Sequence, residues 1–166
     1  WMPPFRPRPD HKLACGVVVL NQRSRGWMTL RSTDSNDRPA ITLNIMDDPW
    51  DMQTMIRGIR EARRIYRTAP QAALTGTELM PGDQVQSDDE MEDWVRQVVE
   101  IGQHAVGSCT MGTGPDAVVD PALRVKGVTG LRVIDASVMP TVPGANTNAT
   151  VIMIGEKGAD LVKAEA

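Results

Sequence analysis

The sequence predicts an α+β fold in which a small antiparallel sheet is followed by helices. Three observations support this prediction. Apolar, β-branched runs bounded by turn residues occur within the first 46 residues. Apolar side chains then recur at helical spacing from Met52 to Tyr66. Near the end of the chain, an apolar run closes on Asp135 and leads through a proline- and asparagine-rich turn into a last helix.

The first half of the chain is expected to supply three strands. Residues 1–13 are rich in proline and charge and predict an extended connector. Residues 14–22 (ACGVVVLNQ) and 27–32 (WMTLRS) predict two strands of a hairpin, with Gly26 supplying backbone freedom in the turn between them. Residues 40–45 (AITLNI) predict a third strand.

Two helices are expected to cover this sheet on one side. The first has a stripe of apolar residues opposite a face rich in arginine; the stripe comprises Met52, Met55, Ile56, Ile59, Ala62 and Tyr66. The second begins after Ser87, a good N-cap residue, with Glu90 three positions later as its capping-box partner. The arginine cluster is interpreted as a solvated helix face.

Composition limits the classes of function. A net charge of −3 without a basic stripe argues against nucleic-acid binding. No apolar run approaches the roughly 20 residues that a membrane-spanning helix needs. Cys15 and Cys109 do not make a disulfide scaffold; the alternatives are one bridge between them and a reduced pair, and a reduced pair in a cytoplasmic protein is the simpler interpretation. No signal-peptide pattern is present in the sequence.

The first candidate catalytic residue is His104. A lone histidine is more often structural than catalytic, although its titration range suits it to proton transfer. The run AVGSCTMG that follows it offers no second metal ligand at workable spacing except Cys109, and zinc needs three or four, so no metal site is predicted. The run Gly112–Ala117 lacks the third glycine of a dinucleotide-binding loop and predicts a turn.

The end of the chain offers two further candidates. Asp135, at the end of the strand-like run LRVID, suits a hydrogen bond from a ribose or ribityl hydroxyl, and suits capping of a turn equally well. Asn146, Thr147 and Asn148 precede a helix with an apolar stripe at Val151, Ile154, Leu161 and Val162. They serve either as a plain N-cap or as part of a helix end that holds negative charge. Gly155 and Gly158 predict close packing against this helix.

Taken together, the segment from His104 to Asp160 resembles the C-terminal signature of the GMC (glucose–methanol–choline) flavoprotein oxidoreductases. The resemblance rests on HAVGSCTMG, DPALRVKGVTGLRVIDASVMP, GANTNA and MIGEKGADLV. Upstream pieces of the chain, from SRG to SDDEMEDWVRQ, resemble the family's substrate-binding region in the right order. The resemblance therefore covers nearly the whole chain.

The resemblance implies FAD-dependent oxidation of a small-molecule alcohol. His104 matches the family's active-site base, and Asn146 matches the second active-site position. Asp135 and Ala136 match the segment along the FAD ribityl chain and pyrophosphate, while Asn146, Thr147 and Asn148 match the turn beside the flavin pyrimidine edge. Residues 1–100 are expected to form part of the substrate-binding domain, and residues 101–166 the active-site wall and C-terminal segment of the FAD-binding domain, including its last strand and helix.

The glycine-rich FAD fingerprint of the family is missing, and the chain begins with Trp1. Both observations predict a C-terminal portion whose companion chain or N-terminal portion carries the Rossmann-type fold. Two alternatives stay open at this stage. One is a hydroxynitrile lyase on the same flavoprotein scaffold, and the other is a non-catalytic binding module. The sequence does not indicate the substrate, or whether oxygen is the electron acceptor.

Overall fold

The computed structural model describes residues 12–165, so most of the predicted connector lies outside the described residues. The elements are β1 (Trp27–Thr29), β2 (Ala40–Thr42), α1 (Pro49–Tyr66), α2 (Asp88–Val98) and α3 (Asn148–Lys163). Two short 3-10 helices span Gln71–Ala73 and Ala136–Val138. The described chain divides into two compact units. The first holds residues 12–19, 23–25 and 44–102, and the second holds residues 20–22, 26–43 and 103–165.

The sheet is smaller than the sequence predicts, and its pairing is different. It has two strands, with Met28 opposite Ile41 in an antiparallel register. The first predicted strand, residues 14–22, forms no strand. Its side chains nevertheless alternate in burial, since Val19 is 4% exposed and Val18 is 67% exposed. The buried side chains of this run pack on α1, and Val17 lies so close to Gly58 that a methyl group at Gly58 would clash with it.

The core of the first unit is formed mainly by α1 and α2. Buried apolar side chains from both helices meet there with Val19 and Met46; they are Met52, Ile56, Ile59, Met91 and Val95. The predicted helical stripe on α1 is thus confirmed in its buried positions. The expectation that this helix covers a three-stranded sheet is wrong, because that sheet does not form and the buried face of α1 contacts α2 and the extended run before β1.

Local capping explains where both helices begin. The Asp48 carboxylate accepts a hydrogen bond from the Trp50 N–H at 2.8 Å, with proline at the first position of α1. At α2, the Ser87 hydroxyl accepts from the Glu90 N–H, and the Glu90 carboxylate accepts from the Ser87 N–H, so the predicted capping box is confirmed. Donation from the N–H groups of Ser87 and Gln86 and from the Ser87 hydroxyl lowers the pKa of Glu90 below its ordinary value.

A buried carboxylate anchors the segment before β1 to the first turn of α1. Asp51 is 1% exposed and accepts hydrogen bonds from the Arg23 N–H at 2.9 Å and the Ser24 N–H at 2.7 Å. The Ser24 hydroxyl donates to the same carboxylate at 2.5 Å. Burial opposes ionisation, but these hydrogen bonds outweigh it and lower the pKa of Asp51. The SRG turn is therefore held by a side chain 27 positions away along the chain.

The second unit has its own core and little regular sheet. Val119, Leu123, Val138, Met139 and Ile154 are buried together there. The predicted strand LRVID contributes one isolated antiparallel bridge, between Arg124 and Arg132, and no strand. The expectation of a last strand is therefore not met within residues 12–165. The run 112–117 is a turn, as predicted, closed by the Ala117 N–H donating to the Gly114 carbonyl at 3.3 Å.

Helix α3 matches the predicted last helix, with two differences in its packing. Ile154 is buried and Val151 and Leu161 pack against the same core, but Val162 is 48% exposed. Gly158 packs against Ile134, and a Cβ at Gly158 would lie 2.3 Å from the Ile134 Cγ2. Gly155 faces open space, so the predicted close packing holds at one glycine and not at the other. Among the described helices, none combines the length and apolar character needed to span a bilayer.

Candidate active site

His104 lies in a loop of the second unit that precedes the bridge residue Met111, and its side chain is half-buried. The residue before it, Gln103, has a φ of 57°, in the left-handed region that non-glycine residues seldom occupy. Such backbone strain is typical of functional sites when the surroundings hold it in place. No sequence signal pointed to Gln103, because glutamine has no preference for this conformation.

The described contact that fixes the His104 ring comes from Thr147. The His104 Nδ1 lies 2.8 Å from the Thr147 Oγ1. Thr147 is 8% exposed and occupies the N-cap position of α3, yet its side chain makes no capping hydrogen bond. The hydroxyl that would ordinarily cap the helix is therefore directed to the histidine. The structure thus brings together two residues that are 43 positions apart.

Backbone hydrogen bonds join the His104 loop to the segment after LRVID. The Cys109 N–H donates to the Ser137 carbonyl at 3.0 Å, and the Met111 N–H donates to the Val138 carbonyl at 2.9 Å. Gly107, between His104 and this pairing, has a φ of 88° that favours glycine. The loop that carries His104 is consequently supported by the same short helix that follows Asp135.

Asp135 caps that short helix. Its Oδ1 accepts hydrogen bonds from the Ser137 N–H at 2.7 Å and from the Ser137 hydroxyl at 2.5 Å. The side chain is exposed, and its Oδ2 has no hydrogen-bond partner among residues 12–165. The capping alternative is therefore realised, while one carboxylate oxygen still faces outward. Ala136 is half-buried against the second core.

The side chains of Asn146 and Asn148 flank Thr147 at the start of α3. Both are exposed, and neither amide makes a hydrogen bond to another described residue. Because Thr147 does not cap the helix, no side chain of residues 12–165 accepts a hydrogen bond from the first N–H groups of α3. This end of the helix therefore presents backbone and amide donors together, a combination suited to negatively charged or carbonyl oxygen atoms.

The arrangement joins a potential base to potential donors. His104 is hydrogen-bonded to Thr147, and Asn146 immediately precedes Thr147 in the chain. Asp135 and Ala136 are joined to this group through the backbone pairing of the His104 loop, and within residues 12–165 neither makes a side-chain hydrogen bond to His104. A proton acceptor beside neutral hydrogen-bond donors can remove a proton from a hydroxyl and stabilise the charge that develops on its oxygen.

Comparisons with known proteins point to one family. Residues 22–155 match the model described as GMC oxidoreductase. The chain is 47% identical over 161 residues to choline oxidase from Arthrobacter globiformis, covering 95% of this chain and 30% of that protein. It is 39% identical over 168 residues to an alcohol dehydrogenase [acceptor] from Pseudomonas putida, covering 98% of this chain and 30% of that protein.

Solved structures show the same similarity. The structure of pyridoxine 4-oxidase from Mesorbium loti superposes with a TM-score of 0.80 at 33% sequence identity, covering 85% of this chain and 28% of that one. A fungal aryl-alcohol oxidase gives a TM-score of 0.76 at 32% identity, over 88% of this chain and 24% of that one. The chain thus spans about 30% of the length of the curated relatives that it matches.

Proposed function

The chain belongs to the GMC oxidoreductase family, and on that premise we propose that it supplies the catalytic base and part of the flavin site of an FAD-dependent enzyme that oxidises an alcohol. The observation that carries the proposal is the His104 loop, where a half-buried imidazole is fixed beside a helix end rich in hydrogen-bond donors. The proposal concerns a longer protein, since the matched relatives are about three times the length of this chain.

The residues present are suited to FAD. The outward Oδ2 of Asp135 can accept a hydrogen bond from a ribityl hydroxyl, and Ala136 offers a small side chain beside it. The exposed amides of Asn146 and Asn148 and the uncapped N–H groups of α3 suit the carbonyl and nitrogen edge of a flavin ring. Thr147 contributes its backbone to this turn while its hydroxyl contacts His104. FAD, when bound, supplies an acceptor for the hydride that leaves the alcohol carbon. Its main cradle is assigned to a companion chain or N-terminal portion with a Rossmann-type fold.

His104 acts as the general base in this proposal. It accepts the proton of the substrate hydroxyl at the ring nitrogen that Thr147 does not contact. The left-handed backbone at Gln103 and the pairing of Cys109 with Ser137 hold the loop on either side of the imidazole. A base fixed in this way loses little orientational freedom when the alcohol binds, which favours proton transfer.

Asn146 is the proposed partner of the substrate oxygen. Its exposed amide has two N–H donors and no described intramolecular acceptor. As the hydroxyl proton leaves for His104, negative charge grows on the substrate oxygen, and a neutral N–H donor stabilises that charge. The two side chains therefore have separate roles, with His104 holding the proton and Asn146 the oxygen.

The direct test is made on the full-length protein that contains this chain. His104→Asn and Asn146→Ala are mixed anaerobically with an alcohol, and bleaching of the visible flavin absorption is followed. Loss of a general base is expected to slow bleaching by about 10²- to 10⁴-fold at equal FAD content. Unchanged bleaching in the His104 variant would contradict the assignment of His104 as the general base.

The same experiment separates the alternatives. A hydroxynitrile lyase on this scaffold would leave the flavin oxidised with every alcohol and would cleave a cyanohydrin instead. A non-catalytic binding module would neither bleach the flavin nor cleave a cyanohydrin. A suitable panel contains choline, an aryl alcohol and pyridoxine, which are chosen because the names of the similar proteins include them.

A further inference from the structure

We propose that Thr147 is a positioning residue that fixes the tautomer of His104, a role that rests on the proposed function of His104 as the base. In this arrangement the His104 Nδ1–H donates to the Thr147 Oγ1, and the Nε2 keeps its lone pair for the substrate hydroxyl. Thr147 acts through His104 and does not itself touch the reacting atoms.

The first argument is geometric. The Nδ1 and Oγ1 atoms are 2.8 Å apart, within the range of a good hydrogen bond. Thr147 is 8% exposed, so its hydroxyl has little competition from water for the imidazole. A buried threonine also has few rotamers, because its branched Cβ restricts χ1. The contact therefore constrains the ring plane of His104 as well as the position of Nδ1.

The second argument is that the Thr147 hydroxyl does not cap α3. Threonine at an N-cap ordinarily accepts a hydrogen bond from an N–H of the first helical turn. Here the N-cap residue has helical φ and ψ values of −72° and −15°, and its side chain makes no such bond. The Thr147 hydroxyl is therefore available to a residue distant in sequence, and it is hydrogen-bonded to His104.

The third argument concerns the proton. A neutral imidazole carries one N–H, so fixing that proton on Nδ1 leaves Nε2 as the acceptor. When Nε2 receives the substrate proton, the Nδ1–H to Oγ1 hydrogen bond is retained and becomes charge-assisted. The bond is thus stronger after proton transfer than before it. Such a change favours the transition state over the ground state.

The experiment uses the full-length, FAD-loaded protein with Thr147→Val, Thr147→Ser and, as a matched control on the same helix, Thr150→Val. Thr150 is half-buried, and its hydroxyl has no hydrogen bond to a described residue. Removing the Thr147 hydroxyl is expected to lower kcat by about 10- to 100-fold, the effect of one hydrogen bond to a charged group, with a smaller effect on KM. Serine is expected to restore kcat to within a few-fold of wild type, and Thr150→Val to leave it unchanged.

A spectroscopic readout reports the tautomer directly. The protein is labelled with 15N-histidine, and the His104 ring signals are assigned by their loss in His104→Asn. The expected wild-type spectrum has a proton on Nδ1 and none on Nε2, and Thr147→Val is expected to give a mixture of tautomers. A wild-type ring that is neutral and protonated on Nε2 would overturn the proposal, even if the valine variant did not fold.

The two proposals fail in different ways. If His104→Asn retains full activity, His104 is not the general base, regardless of the results for the Thr147 variants. If His104→Asn is inactive while Thr147→Val keeps both the wild-type kcat and the wild-type ring spectrum, only the positioning role falls.

Discussion

Replacing Asp51 with alanine is expected to release the segment before β1 from the start of α1. The buried carboxylate accepts from two backbone N–H groups and one hydroxyl, on Arg23 and Ser24. Alanine leaves these donors without an acceptor, and each unsatisfied buried donor costs about 1–3 kcal/mol. Because the donors are partly buried, we expect about 3 kcal/mol in total, equivalent to roughly a hundredfold increase in local opening.

Hydrogen exchange followed by mass spectrometry of the full-length protein measures this opening locally. Peptides that cover residues 22–25 and the first turns of α1 are expected to exchange about a hundredfold faster in Asp51→Ala than in wild type. Asp51→Asn keeps one acceptor oxygen and should show a smaller effect. Asp47→Ala is the control, because Asp47 is exposed and its carboxylate has no described hydrogen bond. Equal exchange in Asp51→Ala and Asp47→Ala would refute the reasoning.

The same anchor has a predictable pH dependence. The pKa of Asp51 is lower in the folded protein than its ordinary value of about 3.9, so folding favours the ionised carboxylate. Its stabilising contribution is therefore complete above that ordinary value and is lost as the pH falls through the folded pKa. After correction for intrinsic exchange, the difference between wild type and Asp51→Asn should shrink below about pH 4. A difference that grows on acidification would contradict this sign.

Three further substitutions test the helices. Gly158→Ala places a Cβ 2.3 Å from the Ile134 Cγ2 and is expected to destabilise the protein by about 1–3 kcal/mol, whereas Gly155→Ala meets nothing within 4 Å and should be neutral or stabilising by up to about 1 kcal/mol. Equal melting temperatures for the two variants would contradict the packing at Ile134. Ser87→Ala removes half of the capping box and should destabilise the start of α2 by about 1 kcal/mol, measured as faster exchange of its first turn; unchanged exchange would show that the cap is dispensable.

Local features of this fold were predictable from sequence, and non-local pairing was not. The first two helices follow from spacing and capping within a few residues, as at Ser87 and Glu90. The pairing of residues 27–29 with residues 40–42 depends on competition between segments. The β-branched run in residues 14–22 indicated an extended segment, but such a run does not specify whether its buried side chains will pack on a strand or on a helix.

The candidate site shows the same limit. The resemblance led to His104 and Asn146, because both stand within recognisable motifs. The contact between His104 and Thr147 was not predicted, since threonine before a helix has an ordinary local explanation as a cap. The strain at Gln103 was equally hidden, because it is a property of the folded backbone and glutamine gives no sign of it.

The hairpin of β1 and β2 has a practical consequence for work on this polypeptide by itself. Trp27, Met28 and Ile41 are each more than half exposed, and among the described residues each strand pairs along one edge and leaves the other unpaired. An apolar two-stranded ribbon is marginally stable alone, and its free edges are templates for pairing with another copy. Expression without the remainder of the protein is therefore expected to give concentration-dependent self-association, and lysine at Met28 or Ile41 is the substitution of choice to suppress it.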